Sequence, residues 1–259
     1  MPDALTHLVS VVSGLIVGSF VNVLIVRVPH RQSVVSPGSH CPQCEKKIRW
    51  YDNVPVLSFL ILRGKCRDCG KAISLRYPVI ELLCAFLFLA IRIKFGWSFL
   101  LFVRDWPFAA LLVAIAFIDL ENRIIPDVLS LPGVILGILT AYWVPGFSLL
   151  SSVVGAVSGF LVFYVLAWVY HRFSGRVGLG GGDVKLLAML GAFLGPAGVF
   201  ATIFVSSILG SVIGIGYALV TRQKKMMMVS IPYGPFLVLG GLYFYLLGDL
   251  FWFRVFSPF

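Results

Sequence analysis

Long apolar runs, broken by short charged loops, decide the fold class of this chain before any motif is read. Leu5 to Val26 contains no Asp, Glu, Lys or Arg. About 20 such residues cross the hydrocarbon core of a bilayer as an α-helix. Lipid offers no partner to a backbone N–H or C=O, so spanning segments satisfy these groups internally. Charged residues make up only 12% of the chain, against roughly 25% in soluble domains. The sequence therefore predicts an all-α polytopic membrane protein of about eight transmembrane helices. They are expected at 5–26, 78–95, 106–119, 128–144, 149–170, 184–196, 198–220 and 234–253, with Arg104-Asp105 interrupting the third run. The first run has no basic stretch before it and no small-residue cleavage site. It reads as a retained helix and not a secretory signal.

Charge orients the chain. The net charge is +10, with 21 Lys and Arg. In a soluble protein that balance would suggest nucleic acid. Here the loops 27–77, 119–127, 171–185 and 221–233 hold 17 of the 21, leaving Arg92, Lys94, Arg104 and Arg254 on the other side. The basic side is predicted to be cytoplasmic, with no nucleic acid as partner and both termini facing away. The acids at Asp119 and Asp183 then share one membrane level.

Three regions follow: a first transmembrane helix at 1–27, a small cytoplasmic module at 28–77, and a membrane-embedded domain at 78–259. The module has too few residues for a substantial apolar core and needs a staple. Cys41-Pro42-Gln43-Cys44 and Cys66-Arg67-Asp68-Cys69 supply four thiols, separated by 21 residues. That spacer lies just beyond the usual zinc window of about 15–20. A reducing cytoplasm disfavours disulfides, so Cys41, Cys44, Cys66 and Cys69 are predicted to hold a structural Zn2+ in a closed tetrahedral site. Cys84, inside an apolar run, reads as a packed small side chain.

Acids at membrane depth are expensive and tend to serve function. Asp183 follows the glycines of Gly178-Leu179-Gly180-Gly181-Gly182. As an N-cap it would accept orphan helix N–H groups; as a functional acid it would use the glycines to let a substrate backbone approach. The stretch lacks the P-loop pattern G-x-x-x-x-G-K-[ST] and a preceding strand, which argues against phosphate binding. Asp119 ends an apolar run, where an acid opposes the helix dipole. Asp127, after Pro126, reads as the cap of the next helix, and Glu121 as solvated. Two close carboxylates do not both ionise readily, so one holds a proton. Such a pair can activate water and polarise a scissile carbonyl.

At these residues the chain resembles the type 4 prepilin peptidases, and more widely the GxGD aspartic proteases. The resemblance rests on Gly18-Ser19-Phe20-Val21-Asn22-Val23, the paired CxxC motifs, Arg63-Gly64, Arg76-Tyr77-Pro78 and Glu81. Phe117-Ile118-Asp119, Ile125-Pro126-Asp127 and Gly180 to Lys185 complete it. It implies that Asp119 and Asp183 are the catalytic pair, supported by Gly180, Gly181, Gly182 and Lys185, in a membrane-embedded aspartic peptidase domain at 78–259. It implies cleavage of a basic leader, usually after Gly, from type 4 prepilins or pseudopilins at the bacterial inner membrane. It further implies N-methylation of the new N-terminal residue, commonly Phe, from S-adenosylmethionine. No nucleotide-binding loop of the usual glycine-rich type marks the donor site. A transporter using the two Asp residues as ion or proton ligands is the rival reading, and it would predict inverted repeats, which the sequence does not display.

Overall fold

The computed structural model describes residues 3–175, 179–221 and 232–256. Gly178 and the basic loop at 222–231 lie outside the described residues. The elements are α1 (Asp3–Arg27), α2 (Leu57–Ile61), α3 (Arg76–Phe95), α4 (Trp106–Asn122), α5 (Asp127–Ala141), α6 (Leu149–Ser174), α7 (Gly181–Thr221) and α8 (Gly234–Phe256). Among the described residues, four helices are long and apolar enough to cross a membrane: Asp3–Arg27, Leu101–Asn122, Leu149–Ser174 and Gly181–Tyr217. Asp127–Ala141 and Gly234–Gly248 are apolar but shorter.

Two boundaries differ from expectation for identifiable reasons. Arg104-Asp105 does not interrupt the third run. A wide helical turn, Leu101–Asp105, leads straight into α4. Arg104 Nη1 donates to Asp105 Oδ1 at 2.9 Å, and both side chains are buried. The paired charges offset one another, and the helix runs through them. α7 is one continuous element in which Gly195 (φ 71°, ψ −178°) breaks the helical path before Pro196. That backbone region is essentially reserved for glycine, and proline suits the first turn of the helix that follows. The predicted sixth and seventh helices are therefore two helices joined end to end.

The chain forms two compact units, Met1–Ala114 and Ile115–Phe259. In the first, α1 lies against α3 with Gly14 facing Ala85 and Gly18 facing Glu81, so that a Cβ at Gly18 would meet Glu81 Cα at 2.6 Å. Small residues let helix backbones approach where lipid provides no hydrophobic drive. The start of α1 and the end of α3 are tied by Arg92, which donates to Asp3 Oδ1 at 2.8 Å and to Thr6 Oγ1 at 2.8 Å. Trp106 stacks on Phe88 with ring centroids 4.8 Å apart.

In the second unit α6 begins at the N-cap Ser148, whose hydroxyl accepts the Ser151 N–H at 3.0 Å, and ends at Gly175 in the left-handed conformation. Its Gly155 meets Gly191 of α7 in backbone contact. Ser152 Oγ donates to the Ala192 carbonyl at 2.6 Å, fixing the same seam.

Candidate active site and metal centre

The second unit brings Asp119 and Asp183 together. Asp119 sits in the last turn of α4, 5% exposed, and its Oδ2 accepts the Gly234 backbone N–H at 2.9 Å. Asp183 sits in the first turn of α7, where its N–H donates to the Gly180 carbonyl at 3.1 Å and its carboxylate receives the Gly180 amide. The carboxylate of Asp183 also lies within electrostatic reach of Asp119. Residues 64 positions apart in sequence thus come within electrostatic reach of one another, where the end of α4, the start of α7 and the start of α8 converge.

Ile125 is the packing element behind that pair. A Cβ at Gly182 would fall 2.7 Å from Ile125 Cβ, and one at Gly234 would fall 3.2 Å from Ile125 Cδ1. The Ile125 side chain therefore packs beside both backbone segments that contact the acids. The three glycines before Asp183 are not equivalent. Gly180 lies against Asp183 Oδ2, Gly182 admits Ile125, and a Cβ at Gly181 would meet nothing within 4 Å.

Asp127 is not a helix cap. The N-cap of α5 is Pro126, which has no side-chain capping bond. Asp127 instead receives Lys185 Nζ on both oxygens at 2.7 Å, tying the start of α5 to the start of α7. Sequence reasoning passed over Gly234 altogether. Its signal was the stretch Pro232-Tyr233-Gly234-Pro235, where a glycine between prolines marks a backbone that something approaches closely.

In the first unit the four predicted thiols converge. Cys41, Cys44, Cys66 and Cys69 place their sulfur atoms within 4.8 Å of one another, with no disulfide among them. The Cys41 and Cys69 sulfurs are 3.9 Å apart. A tetrahedral zinc with Zn–S bonds of about 2.3 Å needs sulfurs roughly 3.8 Å apart, so the array fits a metal ion.

Each cysteine pair is carried on the same turn. Cys41 N–H donates to the Lys46 carbonyl and Glu45 N–H to the Cys41 carbonyl; Cys66 N–H donates to Lys71 and Gly70 N–H to Cys66. Glu45 and Gly70 hold equivalent positive φ angles of 58° and 68°. The Gln43 amide, offset by burial and helped by the Cys44 amide, holds the Cys41 thiol down to about 7. Against the Lys46 amide, burial and hydrogen bonds with Cys41, Cys69 and Cys66 push the Cys44 thiol up to about 11, so the cluster favours the thiolate at Cys41 and the protonated thiol at Cys44. Arg67 clamps Asp52 through three short hydrogen bonds, the tightest at 2.7 Å, and holds that carboxyl below its usual range. Cys84 is wholly buried in α3.

Residues 12–95 match the Bacterial Peptidase A24 N-terminal domain, and residues 106–215 match the Type IV leader peptidase family. A prepilin leader peptidase/N-methyltransferase of Pseudomonas putida is 37% identical over 263 residues, covering 92% of this chain and 89% of the relative. This chain belongs to the prepilin leader peptidase/N-methyltransferase family. A Neisseria gonorrhoeae member is 37% identical over 268 residues, covering 93% of this chain and 90% of its own length. A Myxococcus xanthus member is 44% identical over 212 residues, and there the match covers 82% of this chain but 63% of the relative. No solved structure matches. The acidic pair falls in the leader-peptidase match, which ends before Gly234, and the thiol cluster falls in the N-terminal match.

Proposed function

We propose that this protein is a membrane aspartic endopeptidase that removes the leader of type 4 prepilins or pseudopilins and then N-methylates the new N-terminal residue. The observation that carries the reading is the acidic pair, Asp119 with Asp183, inside a chain of this family. One carboxylate takes a proton from water; the other, protonated, donates to the scissile carbonyl as the tetrahedral centre forms. As the C–N bond breaks, the first carboxyl gives its proton to the departing amine and the second carboxylate takes back a proton from the gem-diol hydroxyl as the product carbonyl re-forms, so both groups are restored. The Gly234 and Gly180 amides aim the two carboxylates, and Ile125 packs behind them. The Lys185–Asp127 ion pair supports this arrangement.

In this reading the chain lies in the bacterial inner membrane with about eight spans, which the four membrane-length apolar helices and the two shorter ones support. Residues 1–27 are the first span, 28–77 the cytoplasmic zinc module and 78–259 the peptidase domain. Cleavage takes place on the cytoplasmic side, where basic loops predominate. A structural Zn2+ on the four cysteines staples the module. With four thiolates it leaves no open position for water, so it plays no part in hydrolysis. S-adenosylmethionine supplies an electrophilic methyl group to the freed amine. An ion transporter finds no support in a chain matching a peptidase family along most of its length.

The deciding experiment incubates purified protein with a full-length prepilin and S-adenosylmethionine and weighs the product. Loss of the leader and gain of one methyl group are expected. An intact prepilin after prolonged incubation with zinc-replete enzyme would overturn the peptidase reading.

A further inference from the structure

The cysteine module contains one uncharged apolar stretch, Val54-Pro55-Val56-Leu57-Ser58-Phe59-Leu60-Ile61-Leu62. It is far too short to span a bilayer, which takes about 20 residues. α2 forms its centre and turns large apolar side chains outward. Leu57, Leu60 and Ile61, spaced as one helix face, are 58, 63 and 75% exposed. Ser58 points inward: its Oγ donates to the Tyr51 carbonyl at 2.9 Å and accepts the Val54 N–H at 3.0 Å. Trp50, in the turn that Ser58 ties down, is 82% exposed. A contiguous apolar surface of this kind marks an interaction site.

Depth says what covers it. The Val56 N–H donates to Glu81 Oε2 at 2.8 Å, and the same carboxylate receives the Ser19 hydroxyl. Arg27 is the first Lys or Arg after the apolar run of α1 and marks the headgroup level. Ser19 lies eight residues inside that end, ~12 Å along the axis. Glu81 lies five residues inside the Arg76 end of α3, ~8 Å along. The chain enters α2 through a tight turn at Val56 (φ 59°, ψ −48°), where the Leu57 N–H donates to the Pro55 carbonyl at 2.6 Å. A β-branched residue keeps such a backbone only where its surroundings impose it, and the bond to Glu81 does so. α2 therefore starts beside the last turns of α1 and the first turns of α3, not above them. In-plane membrane helices rest at a similar depth, ~5–10 Å into the headgroup–acyl boundary. Lipid also demands a backbone satisfied from within. The Ser58, Leu60 and Leu62 amides donate to the carbonyls of Val54, Val56 and Ser58, and those of Arg63 and Gly64 close on Leu60 and Phe59, all at 2.9–3.0 Å. Arg49 before the stretch, and Arg63 and Lys65 after it, are exposed and long enough to snorkel to headgroup phosphates. Exposed Trp50 suits the same interface. We propose that residues 50–62 form an in-plane membrane anchor, with Leu57, Leu60 and Ile61 in the acyl layer of a phospholipid leaflet and Trp50, Arg63 and Lys65 at its headgroups. This rests on α1 as a membrane span, and it removes α2 from the water-exposed part of the module.

The test places a photo-crosslinker in the full-length, zinc-replete protein, reconstituted in liposomes of phosphatidylethanolamine and phosphatidylglycerol. Leu60→benzoylphenylalanine and Ile61→benzoylphenylalanine are the probes, both at exposed positions. Zinc content and leader cleavage report that each variant has folded, and two positions guard against the loss of either. Ile16→benzoylphenylalanine, on the exposed face of α1, is the lipid-facing control, and Lys47→benzoylphenylalanine, exposed elsewhere in the module, is the water-facing one. After irradiation, mass spectrometry should find phospholipid adducts at 60 and 61 in a yield close to that at 16, and none at 47. No lipid adduct at 60 or 61 while 16 is labelled overturns the proposal. So does an adduct to a second copy of the chain, or to added prepilin, in place of lipid. Equal lipid labelling at 47 and 60 also overturns it, because the whole module would then lie on the membrane without a dedicated anchor. Failure of the underlying reading looks different: position 16 then gives no lipid adduct either.

Discussion

Replacing Gly234 by alanine tests the geometry of the acidic pair without touching either acid. The added Cβ would lie 2.7 Å from Asp119 Oδ2 and 3.1 Å from its Cγ, where ordinary contact begins at 3.4 Å. The carboxylate must retreat by about 0.7 Å, the shortfall against that contact distance, and its 2.9 Å bond from the Gly234 amide is stretched or lost. A hydrogen bond to a charged group is worth about 1.5–3 kcal/mol. At about 1.36 kcal/mol per factor of ten, that is roughly a 10- to 150-fold loss. A displacement of about 1 Å at a reacting group costs a similar factor, about 10²-fold. Gly234→Ala is therefore expected to lower kcat for leader cleavage by about 10²-fold while KM changes little. Gly216→Ala is the control, since a Cβ there meets nothing within 4 Å. Rates come from a discontinuous assay of leader release, with methylation of an already cleaved substrate as the check on folding. Wild-type kcat in Gly234→Ala would refute the role given to this amide.

Asp119→Asn and Asp183→Asn should each abolish leader cleavage, measured by product mass, because an amide serves neither as base nor as acid. An Asp183→Asn protein that still methylates cleaved substrate would show that only hydrolysis was removed. Asp127→Asn should slow cleavage more than Glu121→Gln does, because it loses the bidentate contact with Lys185. Equal rates in the two variants would detach that ion pair from the site. Elemental analysis of freshly purified, chelator-free protein should give about one zinc per chain, and Cys41→Ser should lower that value. A reporter fused at Phe259 should read as periplasmic; a cytoplasmic signal would reverse the orientation drawn from the basic loops.

The helices were legible because lipid imposes a single rule, a long apolar run with internally satisfied backbone. The thiol cluster was legible for a related reason: paired C-x2-C motifs announce their chemistry at short range. Partnerships across the chain were harder to read. Asp127 looks like a cap because Pro126 precedes it and a helix follows. Its true partner, Lys185, lies 58 residues away. Gly234 has no chemistry of its own; its importance lies in a missing side chain and a backbone N–H, both meaningful only beside Asp119. Arg104-Asp105 misled in the opposite sense. Hydropathy counts two charges, while the helix contains one neutralised pair.

The break at Gly195 bears on the bilayer itself. The helical segment from Gly181 to Leu194 has 14 residues, or ~21 Å at 1.5 Å per residue. The neighbouring α5 has 15, or ~22 Å. The hydrocarbon layer is ~30 Å deep. Elements this short relieve hydrophobic mismatch by drawing the membrane thinner around them. The thinning would centre on the end of the bundle where Asp119 and Asp183 sit. In the proposed peptidase, water would then reach the acids without a channel, and a chain still anchored in lipid would need to rise only a short way to present its scissile bond. Lipid acyl-chain length would thereby become a variable of the proposed cleavage reaction.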